Sequence, residues 1–392
     1  MPNLFTDRTS KKLVQLIQKL YQTKGQIGLH EPLFIGQEKR YLSDAIDSTF
    51  VSTSGKNVEE FEDEVKKFTG AKHAIATVNG TAALHLGLKS VGVSEGSEVV
   101  TQAFTFVATA NSISYTGANP VFVDIDRDSL GLSAASLERF LLERCDVNDQ
   151  EECINKKTRK RVSACVPMHC FGNPCDSEKI SQLCSRYNIP LIEDAAEALG
   201  SFAKKRHVGT EHCSLAILSF NGNKIITTGG GGMILTNDEK IARYCRHLST
   251  TAKVAHPWAF EHDQVGFNYR MPNINAALGL AQLEMLPKFL VAKRRLAKCY
   301  IEWSRKEGLE VITEADGNRS NYWLNAIVMP DRESRDRLLS LTNNHNIMTR
   351  PAWIPMNHLS IYAACEIVDL EISDMMADRV VCLPSGVPKS WI

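Results

Sequence analysis

From about residue 72 the chain alternates short apolar runs with longer stretches in which apolar residues recur every three or four positions. The short runs, at 73–78, 98–102, 120–123, 161–168, 190–192, 215–219 and 232–235, read as strands. The longer ones, at 81–91, 107–116, 133–143, 177–187 and 238–248, read as helices. Strands that alternate with amphipathic helices predict an α/β domain built on a mainly parallel sheet of seven strands wrapped by helices. Ahead of that region, residues 10–21 form an amphipathic helical pattern that Ser10 can cap, and residues 27–36 read as an extended arm. Two further helices are predicted over 37–48 and 58–68. The polar stretch 145–160 interrupts the rhythm and reads as a surface insertion.

After His256 the alternation stops. A long helical pattern over 275–306 is followed by a strand-like run at 322–329, a helix near 332–344, and a loop at 350–358 rich in proline and aromatics. This is the composition of a smaller α+β domain. The expected division is an N-terminal helical extension and arm over 1–30, a large α/β domain over 31–250, and the smaller domain over 251–392.

Composition narrows the function classes. The 392 residues carry 45 basic and 45 acidic side chains, so no charge imbalance points to nucleic acid or an anionic membrane. No apolar run approaches the roughly 18 residues of a membrane span. The first dozen residues lack the charged-then-apolar order of a secretory signal. Eleven cysteines occur without a single CxxC pair, which removes the usual metal spacing and favours reduced, buried thiols. A cytoplasmic protein without a metal site is expected.

The chemistry gathers around residues 219–232, SFNGNKIITTGGGG. Lys224 lies in a polar turn between two strand-like runs, followed by Gly229 to Gly232, which permit close backbone approach. The spacing of a phosphate-gripping nucleotide loop is absent. The competing reading is an amine that forms a Schiff base with a carbonyl cofactor, with Ser219 contacting that cofactor's phosphate.

Three other stretches sit at predicted strand C-termini, where open α/β sheets hold ligands. The run Asn79-Gly80-Thr81-Ala82 ends a strand and opens a helix, a phosphate cradle or else an ordinary capped turn. Phe104-Thr-Phe106 offers an aromatic face for a flat ring, or simply core packing. In Ile192-Glu-Asp-Ala-Ala-Glu197, Asp194 falls just past a strand. A carboxylate buried there needs a partner, and a protonated pyridine nitrogen would supply one; a helix cap is the plainer alternative. In order, these pieces specify pyridoxal 5′-phosphate better than any one of them.

The motifs resemble the sugar aminotransferases of the DegT/DnrJ/EryC1/StrS family, which have the fold-type-I pyridoxal phosphate architecture. The likeness runs from about His30 to the C-terminus. It implies that Lys224 bonds the cofactor, that Asp194 pairs with the pyridine nitrogen, and that Gly80, Thr81, Ala82 and Ser219 hold the phosphate. It also implies that Phe106 stacks on the ring and that Glu197, where many members have glutamine, packs on its other face. Many relatives have Glu-Gly-Gly where this chain has Gly230-Gly-Gly232, so no role of that glutamate carries over. In the loop Gly266-Phe-Asn-Tyr-Arg, the resemblance gives Asn268 to the cofactor phosphate of a neighbouring subunit, hence a homodimer with shared active sites. His30–Gly36 and 219–232 look most like the branch that aminates C4 of a UDP-linked 4-keto-6-deoxy-2-acetamido sugar, on routes to bacillosamine- and legionaminic-type glycan sugars, with glutamate as amino donor. Two alternatives stay open: a pyridoxal phosphate dehydratase, though members of that group carry histidine at the lysine position, and a non-catalytic cofactor-binding regulator.

Overall fold

The structure, a computed structural model, describes residues 7–392. All seven expected strands form, and they join into one sheet. One half runs in the order His73–Thr77, Gly232–Thr236, Leu215–Ser219, Ile192–Asp194, and the other in the order Val162–Val166, Glu98–Gln102, Asn119–Val123. Parallel bridges from Cys165 to Leu191 and from Met168 to Asp194 stitch the halves together. Gly232–Thr236 is antiparallel to both neighbours, and the remaining pairs are parallel. An eighth strand, Glu366–Val368, comes from the C-terminal part of the chain and extends the far edge beside Asn119–Val123. Two apolar layers cover the sheet. Phe61, Ala216, Leu218, Met233 and Phe289 belong to one, and Leu84, Leu86, Val99, Ile217 and Ile234 to the other.

Helix positions follow the apolar periodicity within a residue or two, at Gly80–Ser90, Val107–Tyr115, Ala134–Arg144, Ser177–Arg186 and Glu239–Ser249. The insertion is ordered: Cys145–Val147 and Cys153–Asn155 pair as a hairpin. The first helix spans Asp7–Tyr21, so Ser10 lies inside it and is not its cap. That helix packs Leu13, Val14 and Ile17 against Leu296, Tyr300, Ile327, Leu338 and Val381. Those partners belong to a second, antiparallel sheet in the order Glu310–Val311, Asn325–Val328, Val380–Leu383, Arg350–Pro351, and to the helices on it. The long helix Asn273–Glu307 serves both cores, with Phe289 against the large sheet and Tyr300 against the small one. Boundaries at residues 30 and 250 therefore do not coincide with the boundary between cores. The N-terminal helix belongs with the small sheet, and Glu366–Val368 with the large one.

All eleven cysteines are free thiols, most of them buried. Among the described residues, no helix is long and apolar enough to cross a membrane.

Candidate active site

The C-terminal edge of the large sheet gathers most of the expected residues. Leu215–Ser219 ends at Ser219, and a turn brings Lys224 back over that edge, its N–H donating to Asn221 O at 3.0 Å. The Lys224 side chain is 13% exposed. Its Nζ lies 3.3 Å from Glu197 Oε1 and 4.1 Å from the centre of the Trp323 ring. Glu197 comes from the loop after Ile192–Asp194, is wholly buried, and accepts the Phe171 N–H on Oε2 at 2.9 Å. Burial pushes its carboxyl up to about 7, against the opposing pull of the Lys224 charge.

Asp194 closes its strand and is 3% exposed. Its Oδ2 accepts the Thr109 hydroxyl at 2.7 Å and its Oδ1 the Ala196 N–H at 3.1 Å. Burial raises its pKa, while those two hydrogen bonds and the Lys224 charge work in the opposite direction. Thr109 lies one turn into the helix Val107–Tyr115, which fixes the carboxyl from the neighbouring α/β unit. Phe106 precedes that helix and leaves half its surface exposed on the same edge.

The second end of the site is the start of the helix Gly80–Ser90. A Cβ built on Gly80 would stand 3.1 Å from Ser219 Cβ and 3.3 Å from its Oγ, so glycine there lets the helix start abut the serine. Gly232 has a related duty, since its Cβ would meet Asn79 C and O at 2.5 Å. Gly232, the last of the glycine run, thus packs against the turn at Asn79–Gly80. Helix geometry leaves the Gly80 and Thr81 N–H groups without intrahelical acceptors. The Ala82 N–H is different: Asn79 Oδ1 accepts it at 2.7 Å, so the helix start has its own cap beside those two groups.

Asn268 stands apart. Its side chain is exposed, and among the described residues no hydrogen bond ties it to Thr81, Ser219 or Lys224. Its loop runs along the outer edge of His73–Thr77, with Val78 N–H donating to Tyr269 O at 2.8 Å and Arg270 bridging Thr77.

Sequence reading missed two contributors. Thr109 carried a weak signal, being three residues past the Phe104-Thr-Phe106 run. Trp323 carried none, because it follows the long helix in a segment remote from every strand-end motif.

The fold is that of the fold-type-I pyridoxal phosphate transferases. The DegT/DnrJ/EryC1/StrS aminotransferase family model matches residues 34–388, and the chain belongs to that family. A GDP-perosamine synthase from Vibrio cholerae is 38% identical over 363 residues, covering 92% of this chain and 94% of the relative. The Bacillus subtilis (strain 168) protein EpsN, named a putative pyridoxal phosphate-dependent aminotransferase, is 35% identical over 368 residues, covering 92% and 91%. Among solved structures, a DegT/DnrJ/EryC1/StrS aminotransferase from Brucella abortus superposes with a TM-score of 0.81 at 27% identity, covering 90% of this chain and 91% of that one.

Pyridoxal 5′-phosphate is the cofactor of these aminotransferases, and the residues present fit it. Asp194 and Glu197 are both buried, and burial raises the pKa of each; Lys224 opposes this at both and His169 at Asp194, and a pyridinium N–H would add a further opposing charge beside Asp194. A half-exposed aromatic ring and a helix start with free N–H groups border the same space.

Proposed function

We propose that this aminotransferase moves an amino group from glutamate to C4 of a nucleotide-linked 4-keto-6-deoxy sugar. The observation that carries the reading is the single lysine amine held over the sheet edge against a buried carboxylate, with Asp194 deeper in the same edge and the open helix start beside Ser219. When bound, pyridoxal phosphate supplies the carbonyl carbon that accepts nitrogen and the ring that takes up the electron pair left at the donor's Cα. Asp194 holds the pyridine nitrogen protonated, so that the ring can accept that pair. Lys224 takes the Cα proton and returns it at C4′, acting in turn as general base and general acid. Gly80, Thr81 and Ser219 grip the phosphate, Phe106 covers one face of the ring, and Glu197 stands on the other.

The carrier and sugar are the finer part of this reading. The resemblance of His30–Gly36 and residues 219–232 favours a UDP-linked 2-acetamido sugar on a surface-glycan route, whereas relatives at 36–38% identity are named GDP-perosamine synthases. We further propose a homodimer in which Asn268 of the partner subunit completes each phosphate site. Trp258, Phe260 and Val265, all at least 80% exposed in the loop leading to Asn268, support a buried contact there.

The test is spectroscopic and then preparative. The purified protein should show the visible band of bound cofactor, and glutamate should bleach it. Incubation with glutamate and a panel of UDP-, GDP- and dTDP-linked 4-keto sugars should give an amino sugar from one of them. A cofactor band that no amino acid alters would overturn the transaminase reading.

A further inference from the structure

Trp323 is fastened at each of its polar atoms. Its main-chain N–H donates to Asn321 Oδ1 at 2.7 Å, and its main-chain oxygen accepts from the buried Lys293 amine at 3.1 Å. Its indole Nε1–H donates to the main-chain oxygen of Asn223, the residue before Lys224, at 2.7 Å. The ring is 5% exposed, and one face lies on the Lys224 amine. Asn321 is shared between the two walls around that amine. While its Oδ1 holds Trp323, its Nδ2 donates to Glu197 O at 2.8 Å and Leu199 O at 2.9 Å. Glu197 and Trp323 are thus positioned by one buried amide, and Trp323 is tied to the lysine turn as well. Lys293 also donates to Ser385 O at 2.6 Å and lies 2.9 Å from His30 Nε2, which anchors this frame to the N-terminal arm and the C-terminal segment.

An ammonium between a carboxylate and an indole face is a favourable arrangement, stronger when water is excluded. It also has a cost, because Lys224 must leave it to bond the cofactor. We propose that Trp323 and Glu197 form a holding site for the free Lys224 ammonium, occupied in the half of the cycle in which the lysine is not bonded to cofactor. This rests on the transaminase reading above. Trp323 is then a positioning residue: it acts through Lys224 and sets how readily the enzyme gives up its lysine–cofactor bond to an amino acid.

The consequence is thermodynamic. The half-reaction with glutamate converts enzyme whose lysine is bonded into enzyme whose lysine is free. A contact present only in the second form shifts that equilibrium by its own strength. A role for Trp323 that affects both cofactor forms equally would change rates or overall cofactor affinity and leave the half-reaction constant alone. The constant is read from the holoenzyme's absorbance at fixed ratios of glutamate to 2-oxoglutarate. Trp323→Leu should shift it by about tenfold towards the lysine-bonded form, within the range of a desolvated cation–π contact. Trp323→Phe keeps a ring face but loses the tie to Asn223, and should shift it by about threefold. Glu197→Gln should shift it in the same direction as Trp323→Leu. Where leucine at 323 weakens cofactor retention, the Phe variant, which keeps an aromatic ring, and the isosteric Glu197→Gln variant carry the test. Constants within twofold of wild type in both would overturn the holding site while leaving the transaminase reading intact. A wild-type enzyme whose cofactor ignores amino acids would instead defeat that reading, and this inference with it.

Discussion

The two ends of the site are built differently. At the lysine end, Lys224, Glu197, Asp194, Thr109, Asn321 and Trp323 satisfy one another within one chain, and all except Lys224 are buried. At the end that we propose holds phosphate, Asn79 caps Ala82 and the Ser219 Oγ accepts only the Asn221 N–H, at 3.5 Å, while the Gly80 and Thr81 N–H groups and the exposed Asn268 are left to partners from outside the chain's own framework. By our proposal the lysine end serves proton and electron movement, where small displacements are costly. By our proposal the other end is an anchor for phosphate, which its ligand and a second subunit complete.

If the comparison holds, the largest losses come from the lysine end. Lys224→Ala should lower transamination at least about 10³-fold, since a positioned acid–base group contributes on that scale. The cofactor should remain bound and the circular dichroism spectrum unchanged. Wild-type turnover in that variant would remove Lys224 from the chemistry.

Next comes a pH effect on stability. Glu197 titrates near 7 in the fold against an ordinary value of 4.5, because burial disfavours its charge. The folded chain therefore binds that proton more tightly than the unfolded one. The group's contribution to stability is intact below about pH 4.5, falls as pH rises to about 7, and is flat above. The full loss is about 3 kcal/mol. In cofactor-free protein, Glu197→Gln should gain on wild type between pH 5 and pH 8 by up to that amount, read as a shift in urea midpoint. A pH-independent difference between the two would mean that Glu197 keeps an ordinary pKa.

Asp194→Asn should follow, with a rate loss of about 10²-fold, equivalent to about 2.7 kcal/mol in the barrier, and cofactor still bound. Thr109→Val removes the hydroxyl on Asp194 Oδ2 without touching the carboxyl, and should cost about tenfold, the value of one charge-assisted hydrogen bond. Equal losses in the two variants would show that orientation, rather than charge, is what Asp194 provides.

The same contrast governs what could be read from the sequence. The seven strands were legible because each is a short apolar run between turn residues, and Lys224, Asp194 and Ser219 were legible because each sits at or just beyond such a run's end. Glu366–Val368 was not, because three residues of mixed exposure carry no periodicity and their strand exists only through pairing with Asn119–Val123. Trp323 was not, because its place over Lys224 is set by how the segment after the long helix folds back. The turn at Asn79–Ala82 had two readings because Asn79 could serve either a ligand or the helix, and its side chain caps the helix at Ala82. Residues that act through the local end of a strand announce themselves; residues delivered by a distant segment do not.

The smallest expected effect tests whether the phosphate end is shared between chains. The backbone leaves both assignments of Asn268 in play. Its loop borders the chain's own strand His73–Thr77, two residues from the Arg270–Thr77 bridge, yet its side chain is exposed at the sheet edge beside a loop of exposed apolar residues. Complementation separates the two. Lys224→Ala and Asn268→Asp are mixed in equal amounts and reassembled from partial unfolding, after each homodimer is shown to be inactive. If Asn268 serves the partner subunit, a heterodimer has one site carrying both defects and one carrying neither. Random assortment makes half the dimers mixed, each with one working site of two, so about a quarter of wild-type activity should return. If Asn268 serves its own chain, each site of the heterodimer carries one defect, and verified heterodimers stay inactive. Recovery near a quarter would mark the phosphate end as the joint property of two chains; its absence would make both ends of the site the work of one.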